Sequence, residues 1–140
     1  MVDEAEQSAI DGITKLVTRY VEGFGGSPAL TVEFYAEPMI YVGPDRVSVF
    51  TSKQDAIAFV EGILARLRPR GFSHSTVERC FVRMLHPSIA LCAVAGTRRR
   101  ADGSELERIG ATYLLTGSPT WKIGELIATD LERVRPWAVA

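Results

Sequence analysis

Few side chains among these 140 residues are equipped for chemistry, and none of them stands in a strong motif. Cys80 and Cys92 lie in apolar segments without Cys-x-x-Cys spacing, which reads as two reduced core thiols. His74 and His86 are not grouped with carboxylates at ligand spacing, so no metal is expected. The "GFGG" at 23–26 lacks both the preceding strand and the Gly-Lys-Ser/Thr of a phosphate loop. No serine or cysteine sits in a nucleophile elbow. What remains is acid–base and hydrogen-bond chemistry. Glu125 is the carboxylate that the strand register set out below turns inward, where burial raises a carboxyl pKa toward neutrality. Arg108 and Thr112 fall on the same face. An Arg108–Glu125 pair would keep the carboxylate ionised, and reads either as a ligand anchor or as a structural ion pair.

The elements that must position these groups follow from periodicity. Ile10, Ile13, Val17, Tyr20 and Phe24 recur in steps of three and four, drawing one stripe down a helix of about five turns that stops at "GFGGS". Ser27 as cap and Pro28 at the first position open a second, shorter helix, expected to end near Glu37 because Pro38 disfavours a helical residue before it. "MIYVG" and "RVSVFT" flank Pro44-Asp45 as a β-hairpin. Ser52 and Asp55 form a variant capping box for a third helix, with Ile57, Val60, Ile63, Leu64 and Leu67 on its buried side and "RPRG" at its end. From Phe72 the helical period disappears, and strands are placed near 73–85, 88–100, 105–116 and 120–130. No repeat or linker divides the chain, so a single α+β domain over 1–140 is expected.

Composition narrows the function classes. Sixteen basic and seventeen acidic residues leave a net charge of −1, without the basic excess of a general nucleic-acid binder. No apolar run approaches the ~20 residues that span a bilayer. The N-terminal "MVDEAEQS" is acidic where a signal peptide is basic, so a cytoplasmic protein without membrane or nucleic-acid partners is expected.

The stretch "TRRRADGSELER" at 97–108 tests whether a basic run means an anion site. Asp102-Gly103 is a two-residue hairpin signal of the type I′ kind. With it as the loop, Arg98 faces Glu107 and Arg100 faces Glu105, while Arg99 points to the other face beside Leu106. The run then reads as a solvated hairpin tip rather than a phosphate clamp. Carried down both strands, the register puts Leu91, Ala93, Ala95 and Thr97 with Leu114, Thr112, Gly110 and Arg108 on one face. A four-residue "GSPT" loop adds Trp121, Ile123, Glu125, Ile127 and Thr129. Polar groups among small residues suggest an incompletely filled space, so this face is expected to lie under the helices as a pocket. The other face, with Cys92, Val94, Ile109, Tyr113, Leu115 and Leu126, is apolar enough to expect a second copy packed upon it as a homodimer.

This order of elements resembles the nuclear transport factor two-like superfamily, through the first helix, "SPALTVEFYAEP", "MIYVG" and the closing "RIGATYLLTGSPTWKIGELIATD". The turn followed by Trp-Lys-Ile is similar to the last strand of SnoaL-like members. The resemblance implies three N-terminal helices in the concavity of a curved, mostly antiparallel sheet, the cystatin-like cone. It implies a small apolar or mixed-polarity ligand in that cone, with cofactor-free proton transfer of the isomerase, cyclase or dehydratase type as the chemistry. Glu125 would then be catalytic, and Tyr20, Tyr35, Tyr41, His74, Arg108 and Thr112 would border the ligand. Core tyrosines with satisfied hydroxyls and a structural histidine are the plainer readings of the same residues. A non-catalytic dimerisation module, its cone filled by Phe24, Tyr35, Phe59 and Trp121, is the alternative.

Overall fold

The computed structural model describes residues 2–117 and 120–137. Helix α1 (Glu4–Gly23) starts where the Asp3 carboxylate accepts the Glu6 N–H at 2.7 Å and buries Ile13, Val17, Tyr20 and Val21. Helix α3 (Lys53–Leu67) starts at Ser52, whose hydroxyl accepts the Asp55 N–H at 3.1 Å, and buries Ala56, Val60, Leu64 and Leu67. Between them lie α2 (Pro28–Thr31), a 3-10 turn (Val32–Phe34), and the antiparallel strands β1 (Tyr35–Val42) and β2 (Val47–Phe50). A second 3-10 turn (Arg68–Arg70) leads into β3 (His74–His86), β4 (Ile89–Arg99), β5 (Glu105–Thr116) and β6 (Lys122–Thr129). The six strands make one sheet in the order β2-β1-β6-β5-β4-β3, antiparallel throughout except where β1 runs parallel to β6.

The second helix is shorter than its sequence suggests. It gives way to extended backbone at Tyr35 rather than at Glu37, which places Tyr35 in a strand opposite Ile123. The apolar run ahead of Val42 gains more from pairing with β6 than from prolonging a short isolated helix.

The hairpin at Gly103 also closes differently. Gly103 alone in the turn takes positive φ, 87°, and its N–H donates to the Arg100 carbonyl at 2.9 Å. Asp102 keeps an ordinary φ and its carboxylate accepts from the Ser104 N–H and hydroxyl. This is a turn with a glycine bulge in place of the expected type I′ loop. Arg98 opposes Glu107 as expected, but the bulge sets Arg99, not Arg100, opposite Glu105.

The larger correction concerns which face the helices cover. The β4–β5 register is the one read from the sequence, with Leu91 opposite Leu114, Ala93 opposite Thr112 and Thr97 opposite Arg108. The buried core beneath α1 and α3, however, is built from the other face: Cys92, Val94, Tyr113, Leu115 and Ile123, with Ala111 and Leu126 packed against it. Bulky apolar side chains, not small and polar ones, supply the partners that the stripes of two amphipathic helices need. Glu125 shares the face of Leu114 and Ile40, the grouping read from the sequence, and that face is the outer one. A bulge between Leu114 and Leu115 instead turns Ile123 to the helix side, opposite Leu115. Part of that outer face is covered by the chain's own end, where Leu131, Val134 and Trp137 pack on Ala93, Ala95 and Phe81, and the Trp137 indole donates to the Phe81 carbonyl at 3.2 Å. No helix among the described residues is long and apolar enough to cross a membrane.

This core assignment has a direct consequence for stability. Leu64→Ala, at a site 1% exposed, is expected to cost about 2–5 kcal/mol in urea unfolding. Leu30→Ala, at a site 70% exposed, should stay within about 0.5 kcal/mol of wild type.

Candidate functional site

A recess of about 710 Å³ opens between α1, α3, the β1–β2 turn and the helix-covered face of β4–β6. Its body is aromatic and aliphatic: Tyr20 and Phe24 from α1, Phe59, Ile63 and Leu67 from α3, and Tyr41 from β1. The sheet contributes Ile109, Ala111, Tyr113, Leu126 and Ala128. Ala111 and Tyr113 alternate with Thr112, and Leu126 and Ala128 with Ile127, so this part of the wall follows from the pleat. Gly110, with no side chain, borders the recess as well. Tyr41 and Phe59 pack with ring centroids 5.3 Å apart, and Phe59 packs on Phe50 at 4.6 Å. Gly43 permits this placement of Tyr41, since a Cβ there would stand 2.8 Å from the Tyr41 ring.

The polar groups of the recess are tyrosines and Ser75 within, and arginines with Asp45 at the rim. The hydroxyls of Tyr20 and Tyr35 share a hydrogen bond of 2.6 Å, and the Tyr20 ring meets Tyr113 edge-on at a centroid distance of 5.7 Å. Burial pushes the Tyr20, Tyr35 and Tyr113 hydroxyls above the ordinary tyrosine range, and the neighbouring phenols add to the effect at Tyr20 and Tyr113. Tyr113 is the exceptional member. It is only 5% exposed, its hydroxyl has no hydrogen-bond partner among the described residues, and yet no enclosed side-chain oxygen in them lacks one. Its oxygen therefore keeps open access to the recess that it lines.

At the rim, Glu107 receives a forked pair of hydrogen bonds from Arg70 at 3.1 and 3.0 Å and a third from Arg98 at 2.6 Å. The Arg70 hydrogen bonds, with Arg98 as second partner, hold the Glu107 carboxyl below its usual range. Beside Tyr113 on the same face of the sheet lies its cross-strand partner Cys92, whose sulfur is 3.2 Å from that of Cys80; both are free thiols.

The site residues read from the sequence are divided by this geometry. Tyr20 and Tyr41 line the recess; Tyr35 does not line it but holds Tyr20 through the shared hydrogen bond. His74 lies off the recess, its Nδ1 3.2 Å from the Ser73 hydroxyl. Arg108 is exposed and donates to Glu105 at 3.1 Å, and Thr112 shares a 2.8 Å hydrogen bond with Thr129, both on the outer face. Glu125 is on that outer face too, so these three do not converge beneath the helices. The residues missed, Tyr113 above all, belonged to the face read as a subunit contact. Their signal was the bulk that matches the helix stripes.

The comparisons agree with this architecture. Residues 5–130 match the family described as NTF2-like protein (DUF6841). The chain belongs to this NTF2-like family. Among solved structures, a domain of unknown function with a cystatin-like fold from Nostoc punctiforme aligns with a TM-score of 0.65 at 18% identity over 94% of this chain and 83% of that one. Aln2 from a Streptomyces strain aligns at 0.69 with 11% identity over 91% and 92%. A Novosphingobium aromaticivorans protein provisionally named a scytalone dehydratase aligns at 0.62 with 13% identity over 91% and 88%. No curated protein matches the chain. At these identities the structures establish the α+β cystatin-like fold and nothing finer.

In this NTF2-like protein the buried phenols also set an alkaline limit. Their folded-state pKa values lie above the free value, so the stability they contribute is complete below pH ~10 and is lost as pH climbs toward the folded values. Phenolate absorbance followed beside near-ultraviolet circular dichroism should show Tyr20, Tyr35 and Tyr113 ionising together as the fold is lost. Ionisation near pH ~10 in an intact fold would contradict their burial.

Proposed function

We propose that this NTF2-like protein binds a small molecule with an apolar, ring-bearing body in the recess, with a ligand oxygen meeting the Tyr113 hydroxyl. One observation carries the reading: the Tyr113 hydroxyl, with no partner among the described residues and lining an apolar recess of about 710 Å³, is an unspent donor placed for a ligand. The volume favours this over a cone filled by its own aromatics, since ligand pockets begin at roughly 300 Å³. Phe24 and Phe59 line the space without filling it, while Tyr35 and Trp121 pack into the core beside it.

The chemistry that this lining supports is polarisation of a carbonyl by phenol donors, the Tyr20–Tyr35 pair backing the position beside Tyr113. The neighbour named for dehydration lends the same direction at the level of fold. Among the described lining residues the carboxylate is Asp45, exposed at the β1–β2 turn, so a proton acceptor in this recess would come from there and not from Glu125.

The partner proposed for the outer face is a second copy of the chain, in the cytoplasm. Val47 and Val49 on β2 are 64% and 56% exposed, and Val49, Ile40, Glu125, Leu114 and Leu91 stand in one cross-strand row, apolar on both sides of the Glu125 carboxylate. The exposed valines of β2, at the apolar end of this row on the helix-free face, meet their own copies under a two-fold axis.

Two measurements check these readings. Calorimetric titration with 2-naphthol should give saturable binding that is lost in Ala111→Trp and in Ala128→Trp, the latter at an exposed wall position that tolerates bulk, and kept in Glu125→Gln. Binding indifferent to both tryptophans would refute the recess. Sedimentation should show twice the 15.4 kDa chain mass, falling to the chain mass in Val49→Glu; a wild-type monomer would refute the dimer.

A further inference from the structure

The rim of the recess carries more positive charge than its own carboxylates neutralise. Arg46, Arg66, Arg70 and Arg98 line it, against Asp45 as the lining carboxylate. Arg70 and Arg98 are both committed to Glu107. Arg46 and Arg66 make no ion pair and no side-chain hydrogen bond among the described residues.

The placement of these two is specific. Arg46 closes the β1–β2 turn, where its carbonyl accepts the Gly43 N–H at 2.9 Å, and Arg66 is the basic residue in the last turn of α3. Both also line the adjoining groove of about 480 Å³ along Val49, Phe50, Asp55 and Ala58, so together they stand where the two hollows meet. The Asp55 carboxylate in that groove makes no ion pair with either arginine. Arg68, Arg70, Arg98, Arg99, Arg100, Arg108 and Arg133 find a carboxylate or a carbonyl nearby. Arg19, Arg79 and Arg135, like Arg46 and Arg66, have no side-chain partner among the described residues, but of these five it is Arg46 and Arg66 that line the recess. Two guanidinium groups left without one, on facing elements of the same mouth, are free to fork onto a carboxylate entering between them. The apolar walls beneath reduce the screening that such a contact suffers in open water. The Tyr41–Phe59 pair, with Phe24 and Tyr20 further along the lining, offers ring faces and edges to a flat body.

We infer that Arg46 and Arg66 form an anion-receiving mouth, and that the ligand class is a flat aromatic carboxylate whose far end carries a hydroxyl or carbonyl oxygen for Tyr113. The inference rests on the small-molecule reading of the recess and adds the charge and polarity of the ligand.

Calorimetry on the full chain with 6-hydroxy-2-naphthoate and with 2-naphthol separates the two claims. The probes share rings and hydroxyl and differ in the carboxylate. The acid is expected to bind about tenfold tighter or better at low salt, in keeping with a charge-assisted hydrogen bond, and to lose that advantage as salt rises. The exposed double substitution Arg46→Gln with Arg66→Gln should bring the acid to the 2-naphthol level and leave 2-naphthol unchanged. An acid no tighter than 2-naphthol, or an advantage that survives the double substitution, overturns the anionic mouth and leaves the small-molecule reading standing. If neither probe binds, or if both still bind when Ala128→Trp blocks the recess, the small-molecule reading falls and this inference falls with it.

Discussion

Two amphipathic helices, α1 and α3, each bury one stripe, and both stripes must be met by a single face of the same six-stranded sheet. Ile13 and Val17 on one side and Val60 and Leu64 on the other demand bulky apolar partners; Cys92, Val94, Tyr113, Leu115 and Ile123 provide them. Because side chains alternate along a strand, that choice commits every neighbouring residue to the opposite face. Thr112 is turned outward by the same pleat that turns Ala111 and Tyr113 inward. The rest of the molecule, including where a ligand can enter, depends on this one assignment.

The recess is what the helices leave uncovered. The core is closed between α1, α3 and the sheet, but toward Ala111, Leu126 and Ala128 the wall continues past the helices, and the β1–β2 turn shuts only part of the gap. Polar atoms within this space are tolerated because they come as neutral hydroxyls, the phenols and Ser75. A neutral hydroxyl costs far less to bury than a carboxylate, and Tyr20 and Tyr35 satisfy each other. Charge is kept to the rim, where Glu107 ties Arg98 of the hairpin to Arg70 after α3. The arginine run is thus a solvated, mostly neutralised hairpin end, and it also borders the recess through Arg98, the member whose strand position faces the helices.

Much of this was legible in the residues. The stripe from Ile13 to Tyr20, the Ser52 cap, the Pro44-Asp45 hairpin and the Leu91–Leu114 register are local signals, and each appears in the fold. What period and spacing do not encode is which side of a two-faced sheet the helices choose. Polar groups among glycine and alanine suggested a hollow, but Ala93, Ala95 and Gly110 are small because Leu131 and Val134 lie against them. A Cβ on Gly110 would stand 2.5 Å from the Thr129 carbonyl oxygen and 3.1 Å from Val134. The bulge between Leu114 and Leu115 was equally invisible, since it depends on how β6 meets both β5 and the parallel β1. The outward placement of Glu125 follows from the face the helices choose, and the inward placement of Ile123 from the bulge. Tyr113 was present in the correct register all along, on the face assigned to the wrong partner.

Intermolecular nuclear Overhauser contacts between 2-naphthol and the protein test the central claim most directly, because consecutive residues of β5 report opposite faces. Contacts to the Ala111 methyl and the Tyr113 ring, without contacts to the Thr112 methyl, are expected from a ligand seated beneath the helices. Contacts to Thr112 and Ile127 with silence at Ala111 and Tyr113 would place the ligand on the outer face and contradict the account.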